Sequence, residues 1–368
     1  MDAYGRVRCA ILGARGLVAQ RFFQRLQYHP WLEPVAVIGS PTTSGTPYDD
    51  CLWSLEEERP DETGMIISSL EDTKVLISEL RDLGVRIIFS ALPNSPAEMV
   101  ERPLANAGFI VISHAQINRL EVDVPLIVPE VNINHLSLLN QQAMYGQGRL
   151  ISCSNCTVIP LALSLTPLVH LNPISSIRIE TEQALSGGGR KMLAAGKSGE
   201  TISPLIPGES ESIVDELSKI FGMDLNISAS CERVMRNHGH LAYLEVRFEE
   251  LVSAHQVINA WREFTTRSQH LSLPSAPEQI IHFVDAPIVE SHRWVGAEGI
   301  KHPGIDLRAA MGVAISNVEI EGNILRFSVF ADNTIRGAAG YGVLLAEQLL
   351  ADGLMHDDNT ILSRVTEQ

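Results

Sequence analysis

Three short segments of the 368-residue chain combine residue types that could do chemistry. The first is Ser152-Cys153-Ser154-Asn155-Cys156-Thr157-Val158-Ile159-Pro160, which runs into the apolar stretch from Leu161 to Leu171. Proline is tolerated in the first turn of a helix, so Pro160 marks a helix that begins just before it. Cys156 then sits at the helix N-terminus, where the macrodipole and unpaired N–H groups favour a thiolate. A thiolate is a nucleophile for carbonyl carbon. Three other readings stay open. Burial as an inert thiol is a common fate of cysteine. A zinc site needs two more ligands at metal spacing, and none is evident. Cys153 and Cys156 also form a Cys-x-x-Cys, though the flanking pattern is not that of a thioredoxin.

The second segment is Arg236-Asn237-His238-Gly239-His240, with two candidate acid/base imidazoles, preceded by Ser230-Cys231-Glu232-Arg233. The planar fork of Arg233 suits a substrate carboxylate, or a plain salt bridge. The third is Gly13-Ala14-Arg15-Gly16-Leu17-Val18-Ala19, a G-x-x-G-x-x-A turn. Glycines after a first strand let backbone approach a pyrophosphate, which the following helix start receives. Gly13, Arg15, Gly16, Leu17 and Val18 are therefore expected to bind a dinucleotide. The next strand ends in Gly39-Ser40-Pro41-Thr42-Thr43-Ser44-Gly45, with no Asp or Glu. A carboxylate there would repel a 2′-phosphate. The hydroxyls of Ser40, Thr42 and Thr43 lean toward NADP, with NAD, or a turn without cofactor preference, as the alternatives.

These residues need elements to hold them. Val7–Leu12, the glycine turn, a helix from Leu17 to Leu26 and a strand from Val35 to Gly39 make a βαβ unit. A helix from Leu76 to Leu83, a strand from Val85 to Ser90, a helix from Ala97 to Ala107 and a strand from Phe109 to Ser113 continue the alternation. That pattern predicts a parallel sheet covered on both faces. Beyond about residue 155 the texture changes. Ser175 to Ala184, Leu241 to Glu249 and Val313 to Asp332 hold period-2 stretches. A helix from Ala254 to Arg267 lies between them, and a final helix starts near Ile335. The expectation is an α/β Rossmann-type dinucleotide-binding domain over residues 1–155, with a C-terminal helix 335–368 returning to it. An α+β catalytic and dimerisation domain with a mainly antiparallel sheet would cover 156–334.

Composition narrows the function classes. There are 28 Lys and Arg against 44 Asp and Glu, a formal charge of −16. That balance, without any basic run, disfavours nucleic acid as a partner. No apolar stretch reaches the length of a membrane span, and no signal-peptide order is evident at the start. Five scattered cysteines fit a reduced compartment, so a cytoplasmic protein is expected. No metal site is expected.

Taken together, the motifs resemble those of the aspartate-semialdehyde dehydrogenase family, in its archaeal and fungal branch. The likeness runs from about Val7 through the last helix. It rests on the Gly13 turn, Phe89-Ser90-Ala91-Leu92-Pro93, Asp123 to Asn132, Ser154-Asn155-Cys156-Thr157, Gln183 to Gly189, Ser228 to Val234, Gly239-His240 and Asn333 to Gly340. The resemblance implies an NADP-dependent reaction between aspartyl phosphate and aspartate semialdehyde through a cysteine thioester. It implies Cys156 as nucleophile with Asn155 beside it, His240 as acid/base, and Gln183 positioning the thioester. Arg233 would meet the substrate carboxylate, Glu209 its amino group, and Arg119 the phosphate. Ser186, Gly187 and Asn333 would lie at the cofactor. A homodimer or homotetramer is implied.

Several positions depart from the family pattern. Arg15 stands where Thr is usual, Ala19 where a third Gly is usual, and Thr42 where the NADP branch carries Arg. Ser152-Cys153-Ser154-Asn155 replaces a usual Asn-Pro-Asn. Ser212 stands where a phosphate-binding Lys is usual, three residues after Glu209. Loss of that cation keeps two alternatives in play: a malonyl-CoA reductase-like acylating enzyme, and a non-catalytic paralogue.

Overall fold

The computed structural model describes residues 5–286 and 289–353. The chain divides into two compact units, residues 5–154 with 342–353, and residues 155–341.

The first unit is built on seven strands: β1 (Val7–Leu12), β2 (Leu32–Gly39), β3 (Ser68–Ser69), β4 (Ile87–Ser90), β5 (Ile110–Ser113), β6 (Leu126–Ile127) and β7 (Arg149–Cys153). They lie in the order β3-β2-β1-β4-β5-β7-β6, every pairing parallel. Parallel neighbours need crossovers, which here include α1 (Leu17–Leu26), α2 (Thr73–Asp82), α3 (Asn94–Asn106) and the single turn α4 (Pro129–Asn132). Helices therefore cover both faces of the sheet. Ala10, Leu12, Ile88 and Val111 pack with Leu76 and Leu80 of α2 and Val100 and Leu104 of α3. Phe22 of α1 meets Phe89 with ring centroids 4.7 Å apart. The polar side of α1 is buried as well, at Gln20, Arg21, Gln24 and Arg25. The following loop covers it: Gln20 Nε2 donates to Leu52 O at 2.8 Å, and Arg21 pairs with Glu57.

The second unit holds α5 (Val158–Leu171), β8 (Ile174–Gln183), α6 (Gly189–Lys197), α7 (Glu209–Phe221), β9 (Ile227–Arg233), β10 (His240–Phe248), α8 (Ala254–Arg262), α9 (Arg267–His270), β11 (Ile281–Phe283), α10 (Val289–His292), β12 (Val313–Glu321) and β13 (Ile324–Ala331). Sheet order is β11-β12-β13-β10-β8-β9. The three inner pairings are antiparallel, whereas β11–β12 and β8–β9 are parallel. The period-2 pattern of β10 resolves as expected: Leu244, Val246 and Phe248 are buried, while Tyr243 and Arg247 are exposed. Trp261 of α8 packs on Phe327, centroids 4.9 Å apart, and its Nε1–H donates to Ser164 O of α5 at 2.8 Å.

The structure corrects the extent of two helices. The one expected to run from Ala254 to Arg267 stops at Arg262. Thr266 then starts a separate turn through a capping box with Gln269, so its hydroxyl competes with helix continuation. The one expected from Ile335 opens as a π-helical turn, Ile335–Ala339, and becomes regular as α11 (Gly340–Ala351). Positions 354–368 of the expected C-terminal helix lie outside the described residues. No helix among the described residues is long and apolar enough to cross a membrane.

Candidate active site

The glycine turn lies in the first unit. Gly13 has φ +99°, and a Cβ there would come within 2.8 Å of the Ala91 carbonyl oxygen, so both conformation and space demand glycine. Its N–H and that of Ala14 donate to Ile38 O at 2.9 and 3.0 Å, which ties the turn to β2. Gly16 caps α1 in an extended conformation, and the first turn of the helix carries no acidic side chain. The Leu17 side chain is buried, so only its backbone is placed to serve a ligand, while Arg15 is exposed. After β2, Ser40 and Thr42 are exposed and their hydroxyls lie 2.8 Å apart. Thr43 is buried and its hydroxyl donates to Ser40 O at 2.9 Å, shaping the turn. Arg119 also belongs to this unit. It donates from Nε to Cys153 O and from Nη2 to His114 O, both at 3.1 Å.

The second unit gathers the other site residues. β8 and β10 are antiparallel neighbours, and β9 pairs β8 from the opposite side with Arg233 opposite Gln183. The sheet register therefore brings Gln183, Arg233 and His240, from three strands, to one end. Cys156 is half-buried just before α5, in a stretch whose flanking residues are buried. Its Sγ lies 3.2 Å from His240 Nε2. The other ring nitrogen, Nδ1, accepts the N–H of Ala184 at 3.1 Å. A ring nitrogen that accepts a backbone N–H carries no proton itself. The neutral imidazole thus bears its hydrogen on Nε2, pointed at the sulfur. Burial, followed by the positive charge of Arg233, pushes the His240 pKa down to about 3, so the ring is neutral near pH 7. It is set to donate to a thiolate or to an oxyanion formed there.

Arg233 Nη1 donates to Ala184 O at 2.7 Å. Burial lowers its pKa, and the negative charges of Cys156 and Glu209 offset that only in part. Gly187 fits against this pair. A Cβ there would stand 2.8 Å from Arg233 Nη1 and 3.0 Å from His240 Cε1. Ser186 Oγ lies 3.1 Å from both amide atoms of Asn333, and Asn333 Oδ1 also accepts the Gly239 N–H at 2.9 Å. Asn333 thus ties together the two loops that flank His240. Gly337 in the π-helical turn lies against Cys156, where an added Cβ would meet Cys156 Cβ and O at 2.8 Å.

The helix start differs from the expectation of unpaired N–H groups. Thr157 N–H donates to Asn155 Oδ1 at 2.7 Å, and the N–H groups of Val158 and Ile159 donate to Asn155 O at 3.0 and 3.3 Å. Those three donors are taken, so the donor aimed at the reacting atoms is His240 Nε2. Asn155 Nδ2 and Gln183 Nε2 both donate to Glu209 Oε1, at 3.0 and 2.7 Å. The backbone N–H of Asn155 donates to Glu216 Oε2 at 2.7 Å. Sequence reasoning missed Glu216. A signal was present, because Ile213, Glu216, Leu217 and Ile220 make one helical stripe in which the glutamate is the odd member. Among the described residues no cluster of three or more His, Cys, Asp or Glu side chains could hold a metal ion. The five cysteines form no disulfide, and Cys153 is fully buried.

Comparison with known proteins fits this geometry. Residues 8–139 match the model for the semialdehyde dehydrogenase NAD binding domain. The chain is 32% identical to the aspartate-semialdehyde dehydrogenase of Archaeoglobus fulgidus, over 95% of this chain and 100% of that protein. It is also 32% identical to the malonyl CoA reductase (NADP) of Metallosphaera sedula, over 94% of this chain and 98% of that one. The crystal structure of Candida albicans aspartate semialdehyde dehydrogenase with NADP superposes with a TM-score of 0.78 at 29% identity, covering 95% and 99% of the two chains. With this similarity spanning both units, the chain belongs to the aspartate-semialdehyde dehydrogenase family.

Proposed function

We propose that this chain is an NADP-dependent aspartate-semialdehyde dehydrogenase that interconverts aspartyl phosphate and aspartate semialdehyde through a thioester on Cys156. The observation that carries the proposal is the 3.2 Å approach of His240 Nε2 to Cys156 Sγ, with the tautomer fixed by Ala184 N–H. In the oxidative direction the Cys156 thiolate attacks the aldehyde carbon. The new C–S bond pushes the carbonyl electrons onto oxygen, and His240 Nε2–H donates to that oxyanion. Collapse of the oxyanion re-forms C=O, expels hydride and leaves the thioester, so no base is needed to remove a proton from this oxygen. Phosphate attack on the thioester carbon then returns the thiolate. Arg233 is the cation for the substrate carboxylate and Arg119 the one for phosphate. Glu209 meets the amino group while its Oε1 holds Gln183 and Asn155.

Bound NADP would supply the hydride chemistry, its oxidised form being the acceptor for the expelled hydride and its reduced form the donor in the reverse direction. The residues present suit it: Gly13 lets the strand-to-helix turn pack against Ala91 with no room for a Cβ, the tight turn a dinucleotide site needs, and Ser40 and Thr42 offer exposed hydroxyls without a carboxylate. Leu17 and Val18 would present backbone N–H groups to the pyrophosphate, while Gly16, whose N–H donates to Gly13 O at 2.7 Å, would shape the turn beside it. Arg15, Thr43, Ser186, Gly187 and Asn333 complete the proposed cofactor set, NAD being the alternative. The protein would act in the cytoplasm as a homodimer or homotetramer. Exposed Tyr243, Arg178 and Glu180 on the second sheet offer a surface for that contact, and light scattering would report the mass.

Malonyl-CoA reduction is the second reading, favoured by the Ser212 hydroxyl, which is bonded to Glu216 and supplies no cation for phosphate. A matrix of two substrates and two cofactors separates the readings. Aspartate semialdehyde with phosphate and NADP should generate reduced nicotinamide absorbance. No turnover of that substrate with either cofactor overturns the first reading. NADPH consumption with malonyl-CoA alone establishes the second.

A further inference from the structure

Helix α7 reaches Asn155 twice. Glu209 and Glu216 are seven residues apart, two helical turns, and so share one face. Glu209 Oε1 takes the Asn155 side-chain amide at 3.0 Å, and Glu216 Oε2 takes its backbone N–H at 2.7 Å. The remaining groups of Asn155 hold the start of α5: Oδ1 accepts Thr157 N–H, and O accepts Val158 and Ile159 N–H. Every polar group of Asn155 is thereby engaged, and the residue bonded to it in the chain is Cys156. Glu216 is 1% exposed, and a carboxylate that deep needs donors. One is Ser212, whose hydroxyl donates to Glu216 Oε1 at 2.7 Å from the preceding turn. Ser212 is itself 7% exposed, so its hydroxyl is committed inward.

We infer that Ser212 and Glu216 are positioning residues: the carboxylate, oriented by the hydroxyl, clamps the Asn155 backbone and so fixes the Cys156 thiol in line with His240 Nε2. Position 212 then serves the geometry of the nucleophile in this chain, in place of the anion binding implied by the family lysine. Geometry is what the clamp provides. A neutral isostere at 216 can accept the same N–H and let the Ser212 hydroxyl reverse its bond, whereas an apolar residue cannot.

The inference rests on the proposed thioester chemistry only for its kinetic arm. The other arm is alkylation of Cys156 by iodoacetamide, followed by peptide mass spectrometry across pH, and it needs no substrate. Glu216→Leu should slow Cys156 alkylation at neutral pH and lower kcat about a hundredfold, with KM for NADP little changed. Glu216→Gln should restore both to within about threefold of the parent, and Ser212→Ala should lose about fivefold, the share of one hydrogen bond. If Glu216→Leu does not fold, Ser212→Ala and Glu216→Gln decide the matter. Parent-like alkylation rate and pH profile in Glu216→Leu, or in Ser212→Ala where that variant must decide, overturns the clamp. So does a Gln variant as impaired as the Leu variant. A parent protein that alkylates normally but turns over no aspartate semialdehyde overturns the proposed function and leaves the clamp tested.

Discussion

The glycine turn of the first unit and the cysteine cluster of the second are built by opposite means. The turn is contiguous and made of backbone. Gly13 and Gly16 shape it, strand ends hold it, and its side chains contribute little beyond the exposed Ser40 and Thr42. The cluster is scattered over Asn155–Cys156, Gln183–Gly187, Glu209–Glu216, Arg233–His240 and Asn333, and is assembled by sheet register and side-chain bonds. A site made of backbone is written in a local motif and tolerates drift, as Arg15 and Ala19 illustrate. A site made of side chains depends on residues that never touch the reacting atoms.

The strongest way to break this comparison is to remove the nucleophile. Cys156→Ala deletes the atom that would form the thioester, so turnover should fall at least about 10⁴-fold. NADP binding, proposed to rest chiefly on the glycine turn of the other unit and to involve no contact with the Cys156 sulfur, should stay within about twofold by fluorescence titration. Residual turnover near the parent rate would end the nucleophile assignment. A parallel loss of NADP affinity would show that the two sites are not separable.

The same contrast explains what could be read in advance. Alternating strands and helices gave the first unit its fold class, because a doubly covered parallel sheet writes continuous apolar strands such as Val7–Leu12. Cys156, His240 and Arg233 stood out by type and spacing. β9 did not stand out as a strand: at the sheet edge its residues alternate only between half-buried and exposed. The Ala184 N–H that fixes the His240 tautomer is backbone, and no residue type announces it. Glu216 shows only as the polar member of the apolar stripe Ile213, Leu217 and Ile220, and nothing in that spacing names the backbone N–H it holds. Ser212 was visible as a departure, but its partner four residues on was not.

Two glycines sharpen the comparison at intermediate cost. In Gly13→Ala the new Cβ meets the Ala91 backbone at 2.8 Å in a left-handed conformation. Strain of about 1–3 kcal/mol should raise the NADP Kd by about 5- to 150-fold. Cys156 alkylation should be unchanged. In Gly187→Ala the Cβ presses on Arg233 Nη1 and His240 Cε1, which are side-chain atoms and can yield. That variant should lower kcat about tenfold and alter Cys156 alkylation. The same effect on binding and alkylation from both glycines would contradict the division between a backbone-made and a side-chain-made site.

The smallest expected effect is a titration shared by the two units. His114, at the end of β5, and His240 are each pushed from 6.5 down to about 3, with burial as the main cause in both. The folded protein therefore holds two neutral rings where the unfolded chain binds two protons once the pH drops below 6.5. Because the unfolded state binds more protons over that interval, stability rises with pH from about 3 to 6.5 and is level above it. Each histidine should remove about 1.4 kcal/mol at about pH 5.5 relative to pH 8. His240→Gln should remove its own share of that slope, as should His114→Gln, in urea titrations at a series of pH values, and His282, whose pKa burial also lowers, keeps part of the slope in both variants. The kcat/KM profile should meanwhile show no step near 6.5 assignable to His240, because the ring that faces Cys156 is already neutral there. A step at 6.5 that His240→Gln abolishes would mean that the imidazole gains a proton on Nδ1, and the Ala184 N–H could then no longer fix its tautomer.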